Sequence, residues 1–263
     1  MKSHVYSLDG KKGKEISLPR VFSERYLPAV IARAVIAKQT ERLQPKGADP
    51  MAGLRTTAEY IGRREAYRSG INKGLARLPH VKLGGGGIGQ VKRVPNARGG
   101  RRSFPPKAEK VIVKGINRKE LALATRSAIA ATTQKALVTA RGHIIDGVHE
   151  LPIVFEDTLE AVKKTKDAIA ALQSVGLGAD LQRARVKKVR AGQSTMRGNR
   201  YRRRRSVLIV VSKECKALRN VPGVDIARAG SLGVEALAPG ATAGRLTVYT
   251  ESAVRELGEK YGN

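Results

Sequence analysis

The sequence is poor in cysteine and in aromatic side chains. Among 263 residues there is one cysteine, Cys215, and no tryptophan, and aromatic residues make up 4% of the chain. A single cysteine excludes an internal disulfide and a cysteine-based zinc site, so we interpret Cys215 as a structural residue. The scarcity of aromatic rings argues against a protein that reads single strands mainly by base stacking. It favours a partner recognised by its backbone or its folded shape.

Long apolar runs are also missing. No stretch approaches the ~18 consecutive apolar residues that a membrane-spanning helix needs. Residues 1–15 lack the apolar core of a secretory signal. We therefore expect a cytoplasmic protein with no membrane partner.

Positive charge is what the sequence has in excess. The formal net charge is +29, and it is concentrated in two segments. Residues 44–110 contain 15 Lys and Arg against 4 acidic residues, and residues 183–205 contain 11 Lys and Arg and no acidic residue. These two segments carry 22 of the 29 net charges. Such a local excess is typical of proteins that bind a polyanion, most often nucleic acid.

Outside the basic segments, the apolar pattern predicts a globular α/β body. The predicted strands span 4–8, 15–18, 151–155, 207–211, 224–227 and 246–250, and the predicted helices span 26–43, 117–142, 157–176 and 253–260. Residues 207–211 are apolar on both faces, which indicates a mainly parallel sheet covered by helices on both sides. We expect a three-layer α/β/α domain formed by residues 1–43 and 111–263.

The first basic segment, residues 44–110, interrupts this predicted domain. It contains 12 glycines and no sustained periodicity, and residues 58–67 are its one predicted helix. A segment with so little apolar surface to bury is expected to be an extended arm that becomes ordered around RNA. The alternative is a disordered, solvated linker.

The second basic segment, residues 183–205, directly precedes the predicted strand 207–211, which indicates an arm fixed to the body. Tyr201 lies among arginines and is a candidate to stack on a base or on a guanidinium plane. A nuclear-localisation-like patch and a solvated basic face are the alternatives for this segment.

Three stretches resemble a known family. They are KGLARLPHV at 73–81, ARGGRRSFPP at 97–106 and RAGQSTMRGNRYR at 190–202. Together with the order of the predicted elements, they are similar to the archaeal and eukaryotic type of the large ribosomal subunit protein four family. The likeness extends over nearly the whole chain.

This resemblance implies a structural, non-enzymatic constituent of the large ribosomal subunit, without a cofactor or metal, located in the cytoplasm. Its implied partners are large-subunit ribosomal RNA, other large-subunit ribosomal proteins and the nascent peptide, with no homo-oligomer. The long loop would line and narrow the nascent-peptide exit tunnel. The residues expected nearest the tunnel, at the loop tip, are Lys73, Gly74, Arg77, Pro79 and His80. His80 stands where the family usually has Arg or Lys.

Resemblance and local charge together indicate the residues that would bind ribosomal RNA. In the first segment these are Arg55, Arg63, Arg64, Arg68, Lys92, Arg93, Arg98, Arg101, Arg102 and Lys107. In the second they are Lys187, Lys188, Arg190, Arg197, Arg200, Tyr201, Arg202, Arg203, Arg204 and Arg205.

An RNA-modifying enzyme or nucleotide-dependent factor is one alternative from the residues alone. It needs a cofactor site at the carboxyl ends of the strands, and the segments after Phe155, Val211 and Ala227 show no convincing set of side chains for one. Residues 84–89 match the pattern GxGxxG but neither follow a predicted strand nor open a predicted helix. The four histidines are scattered, which disfavours a metal site.

A protein that organises duplex DNA is the other alternative. The sequence offers no periodic recognition helix for the major groove, and the long glycine-rich arm is atypical of such proteins. Both alternatives remain open on the residues alone.

Overall fold

A computed structural model describes residues 1–262. The chain divides into two compact units. One comprises residues 1–41 and the chain from 114 to the C-terminus, and is called the body. The other comprises residues 42–113 and is called the loop unit.

The regular elements are numbered along the chain. The strands are β1 (Lys2–Tyr6), β2 (Lys12–Ser17), β3 (His80–Lys82), β4 (Ile88–Val91), β5 (Ile153–Phe155), β6 (Lys187–Val189), β7 (Tyr201–Arg203), β8 (Leu208–Val211), β9 (Asp225–Arg228) and β10 (Thr247–Thr250). The α-helices are α1 (Pro28–Thr40), α2 (Arg118–Ala131), α3 (Lys135–Ala140), α4 (Thr165–Ser174), α5 (Gly178–Arg185), α6 (Val234–Leu237) and α7 (Glu251–Tyr261).

The body is built on a six-stranded sheet with the order β2-β1-β5-β10-β8-β9. Strands β1, β5, β10, β8 and β9 run parallel to one another. Strand β2 is an antiparallel edge strand that forms a hairpin with β1. The central strands β5, β8 and β10 are buried along their whole length. The predicted α/β class with a mainly parallel sheet is confirmed.

Helices cover both faces of this sheet. Leu208 and Val210 of β8 share one core with α1, α2, α6 and α7. Ile209 and Val211 point the other way and share a second core with residues of α3, α4 and α5. This alternation along a strand buried on both faces gives the expected three layers.

Two predicted helices are shorter than expected. The helix predicted at 117–142 is divided into α2 and α3, because the Thr132 and Thr133 hydroxyls donate to the carbonyls of Ile129 and Ala130, at 2.7 and 2.8 Å. Such side-chain hydrogen bonds compete with the helical ladder. The helix predicted at 157–176 begins instead as a 3-10 turn, and α4 follows it.

The carboxylates at the start of that segment bind other elements. Asp157 accepts a hydrogen bond from the backbone N–H of Ser252 in the first turn of α7, at 2.9 Å. Glu160 accepts from the backbone N–H of Ser212 at 2.8 Å and from the Thr250 hydroxyl at 2.7 Å. Asp157 thus satisfies a backbone donor in the first turn of α7, and Glu160 connects the ends of β8 and β10.

Strands β3 and β4 of the loop unit form an antiparallel hairpin, closed by a turn at Gly84–Gly86. The prediction of a helix at 58–67 is wrong. Glu59 pairs with His80 as an extended bridge, with N···O distances of 3.1 and 3.2 Å, and the chain turns near residues 64–68. The backbone groups of Glu59 therefore bond across the unit instead of along a helix.

Among residues 1–262, no helix combines the length and apolar character needed to cross a membrane.

Candidate nucleic-acid interface

The second basic segment folds as α5 followed by an antiparallel hairpin of β6 and β7. Residues 187–203 are called the basic hairpin. Its register places Lys187 opposite Arg203 and Lys188 opposite Arg202. Like charges directly opposite each other destabilise a two-stranded ribbon. The hairpin is therefore electrostatically suited to an anionic partner that neutralises these cross-strand pairs.

A buried carboxylate attaches this hairpin to the body. Asp180 of α5 is 0% exposed. It accepts hydrogen bonds from Arg183 Nε at 2.8 Å and from the Ser206 hydroxyl at 2.5 Å, and His143 Nδ1 lies 3.2 Å from it. Arg183 also donates to the carbonyl of Arg205 at 2.9 Å. The Asp180 side chain thus connects Arg183, which precedes the hairpin, to Ser206, which follows it.

The partners of Asp180 keep it ionised. Burial alone would raise the pKa of this carboxyl, but hydrogen bonds from His143, Arg183 and Ser206 hold its pKa well below the usual range. The charged form is therefore the one that stabilises the folded state.

A second ion cluster lies beside the first. Arg245 is 1% exposed and donates to Asp225 at 2.6 Å, and Arg205 pairs with the same carboxylate. Arg141 donates to the carbonyl of Pro239 at 2.6 Å, and burial together with the nearby Arg245 and Arg205 lowers its pKa to about 10. Of the predicted RNA contacts in the second segment, Arg205 is thus already bound to the body.

Arg205 itself is exposed, and so are the other predicted contacts of the second segment. Arg190 Nε donates to the carbonyl of Tyr201 at 3.3 Å. Tyr201 is 45% exposed, and Lys187 Nζ and the Arg200 guanidinium carbon lie over its ring, 5.5 and 5.9 Å from the ring centre. The exposed set comprises Lys187, Lys188, Arg190, Arg197, Arg200, Tyr201, Arg202, Arg203 and Arg204.

In the loop unit, three of the predicted contacts hold the backbone together. Arg68 donates to the carbonyl of Leu83 at 2.5 Å, Lys92 to that of Arg98 at 2.7 Å, and Arg93 to that of Ala58 at 3.4 Å. These bonds assign them an internal structural role in addition to any RNA contact.

The remaining cations of the loop unit are exposed. Arg55 pairs with Asp49 at 2.8 Å. Within residues 1–262, the following predicted contacts have no acidic partner within 4.0 Å: Arg63, Arg64, Arg98, Arg101, Arg102 and Lys107. Their side chains face solvent and are available to an anionic partner.

The predicted tip residues differ in exposure. Lys73, Gly74 and Arg77 are exposed, whereas Pro79 and His80 are half-buried. The His80 ring lies between two carbonyl oxygens, with Nδ1 2.8 Å from Gly89 and Nε2 2.9 Å from Ala76. His80 thus connects strand β3 to both neighbouring segments, a role that the motif did not suggest.

Asp180 and Arg245 are the functional supports that sequence reasoning missed. Most of their partners are distant along the chain: Ser206 and His143 lie 26 and 37 residues from Asp180, and Asp225 lies 20 residues from Arg245. One signal was available: Asp180 is the only acidic residue between positions 168 and 213, next to the basic segment. A lone carboxylate beside so many cations indicates a structural ion pair.

The alternative sites have structural explanations. Residues 84–89 follow strand β3 but turn into strand β4, without a helix to receive a phosphate. Cys215 is buried against the carbonyl of Leu159, with an S···O distance of 3.7 Å. In the described part of the chain, no group of three or more His, Cys, Asp or Glu is arranged to hold a metal ion.

Comparison with known proteins gives a consistent family. Residues 16–260 match the profile of the Ribosomal protein L4/L1 family. Large ribosomal subunit protein uL4 of Methanoculleus marisnigri is 51% identical over 261 residues, which are 98% of this chain and 99% of that protein. The protein of the same name from Methanocaldococcus jannaschii is 46% identical over 265 residues, 99% of this chain and 100% of its own length. The chain therefore belongs to the Ribosomal protein L4/L1 family.

Proposed function

We propose that this chain is a constituent of the large ribosomal subunit that binds ribosomal RNA through the loop unit and the basic hairpin. The observation that carries the proposal is the concentration of exposed cations on these two surfaces of a chain with a net charge of +29. Because the chain belongs to a ribosomal protein family, it is a structural and non-enzymatic protein. It works in the cytoplasm as part of the ribosome, with ribosomal RNA and other ribosomal proteins as partners.

Binding would depend mainly on charge neutralisation. Each Lys or Arg that contacts a phosphate releases condensed counterions, so affinity falls steeply as salt rises. Arginine side chains add bidentate hydrogen bonds to phosphate oxygens. Specificity would come from the shape of folded RNA, because the RNA must fit both the loop unit and the basic hairpin.

The loop unit is the part that we assign to the wall of the nascent-peptide exit tunnel. This assignment rests on the family motifs at 73–81 and 97–106 and on the exposed side chains of Lys73 and Arg77. The emerging peptide would pass these two side chains. His80 would hold the hairpin behind them through its two backbone contacts.

Ultraviolet crosslinking in cells, followed by sequencing of the attached RNA, tests the proposal. We expect crosslinks in a few segments of large-subunit ribosomal RNA, through peptides from residues 70–105 and 190–205. Crosslinks scattered over transfer and messenger RNA, or located mainly at the strand ends of the body, would contradict it.

Reversing the charge of Arg77 tests the tunnel assignment separately. In Arg77→Glu, subunit assembly should persist, because one exposed contact among many is lost, while nascent-chain-dependent pausing should change. Ribosome profiling and sucrose gradients measure the two effects. Arg77→Lys, which keeps the charge, serves as the control, and an equal assembly defect in the Glu variant would count against the tip assignment.

A further inference from the structure

The two faces of the basic hairpin differ in chemistry. Side chains of paired residues in an antiparallel ribbon share one face, and the next pair faces the opposite side. Lys187, Val189, Tyr201 and Arg203 therefore share one face, called the aromatic face. Lys188 and Arg202 share the other, called the cationic face.

On the basis of the proposed RNA-binding function, we infer that bound RNA contacts both faces of the hairpin, and that each face binds a different part of the nucleotide. An unpaired base stacks on Tyr201 at the aromatic face, and backbone phosphates bind at the cationic face. The inference adds a stacking site to a surface otherwise explained by charge alone.

The aromatic face borders a cleft of about 460 Å³. This volume lies within the usual range for small-ligand sites, roughly 300–1,000 Å³. Tyr201 and Asn199 line it from the hairpin together with the cations Lys187, Arg190 and Arg203. Gly223 and Asp225 line it from the body. What distinguishes this cleft is therefore its aromatic ring, not a lower positive charge. The Asp225 carboxylate is neutralised by its pairs with Arg205 and Arg245, so it does not repel an anionic strand.

Tyr201 is suited to a base because its ring combines exposure with nearby cations. Tyr201 is 45% exposed, and Lys187 Nζ and the Arg200 guanidinium carbon lie over its ring, 5.5 and 5.9 Å from the ring centre. A stacked base would take the place of one of these cations on the ring. Those cations attract the phosphates that flank a stacked nucleotide. Stacking on an aromatic side chain is a common way for proteins to hold an unpaired RNA base.

The cationic face borders a separate cleft of about 450 Å³. Its lining consists of Val186 and four cations, Arg183, Lys188, Arg202 and Arg204, without an aromatic ring or a carboxylate. Asp180 holds one of these cations, Arg183, through an ion pair of 2.8 Å. Apart from Val186, the side chains of this lining offer hydrogen-bond donors and positive charge, which matches phosphate oxygens.

Equilibrium binding of the full-length protein to large-subunit ribosomal RNA, measured over a range of salt concentrations, separates the two roles. Tyr201→Leu should weaken binding roughly tenfold at every salt concentration, because stacking releases no counterions. Tyr201→Phe keeps the ring and should bind like the wild type. Lys188→Gln should lower the slope of log affinity against log salt by about 0.7 to 0.9.

The outcomes distinguish this inference from the proposed function. Wild-type protein that binds ribosomal RNA no better than an unrelated RNA contradicts the proposed function itself. Normal wild-type binding that Tyr201→Leu leaves unchanged, or changes only in salt slope, overturns the stacking inference alone. As a readout that needs no variant, mass spectrometry of ultraviolet-irradiated wild-type complex should locate a nucleotide adduct on Tyr201. Adducts confined to other residues would overturn the inference.

Discussion

Asp180 is an acidic side chain whose surroundings explain how a strongly basic hairpin stays attached to its body. It is buried, and it receives hydrogen bonds from Arg183 and Ser206 on either side of the hairpin. The lowered pKa of its carboxyl means that this arrangement stabilises the fold at neutral pH. The position of the hairpin on the body therefore depends on a negative charge that is buried.

Removing this charge should be costly. Asp180→Asn is expected to lower the free energy of unfolding at pH 7 by about 3 kcal/mol, because it leaves a half-buried guanidinium unpaired. Since the folded-state pKa is lowered, the difference from the wild type should shrink as the pH falls below the unfolded value, about 3.9. Urea unfolding from pH 7 down to pH 3 measures this.

Asp146→Asn is the matched control. Asp146 is exposed and has no hydrogen-bond or ion-pair partner among residues 1–262. Equal stability losses for both variants at pH 7 would contradict the role given to Asp180.

Helices and strands differ in how far the sequence predicted them. Strand β8 was predicted because its residues are all apolar, and a short run of apolar residues indicates a strand that is buried on both faces. The structure buries the whole strand. Helix α5 and the basic hairpin were missed, because their sequence is polar and cationic, without an apolar alternation. The break between α2 and α3 depends on threonine hydroxyls that bond back to the helix, which periodicity does not reveal.

The segments that flank the hairpin approach the turn before strand β9 closely, and this approach depends on a glycine. Gly223 has φ +81°, and an added Cβ would lie 2.5 Å from Ala184 Cβ and 2.9 Å from the Arg204 carbonyl oxygen. Gly223→Ala should therefore destabilise the protein by about 1–3 kcal/mol beyond the strain of its φ angle.

Gly240→Ala isolates the strain contribution. Gly240 has a similar φ of +78°, and nothing lies within 4 Å of its added Cβ. Comparing the two variants by urea unfolding measures the cost of the close approach. Equal destabilisation would contradict the packing described for Gly223.

For the chain as a whole, two separate compact units explain how a long basic segment interrupts a stable body. The chain leaves the body after α1 and returns before α2, where the backbone N–H of Lys114 donates to the Thr40 hydroxyl at 3.0 Å. Both hydrophobic cores described for the body are formed by residues of the body itself. Charge and family motifs led to a set of predicted RNA contacts, which stay predictions, but did not indicate that Arg68, Lys92 and Arg93 bond within the loop unit.

Replacing residues 44–110 by a short Gly-Ser linker should therefore leave the body folded. Closing a shorter loop changes the unfolding free energy little. Affinity for large-subunit ribosomal RNA should fall, with a shallower salt dependence, because many cations are lost. Circular dichroism and salt-dependent binding measure both effects, and loss of the body's cooperative unfolding would contradict the independence of the two units.

The most direct test of the central claim is an electron cryo-microscopy map of the large ribosomal subunit purified from the organism that makes this protein. We predict that ribosomal RNA surrounds the loop unit, that Lys73 and Arg77 reach the wall of the exit tunnel, and that RNA contacts both faces of the basic hairpin. A loop unit exposed on the solvent side of the subunit, with its tip away from the tunnel, would contradict the account.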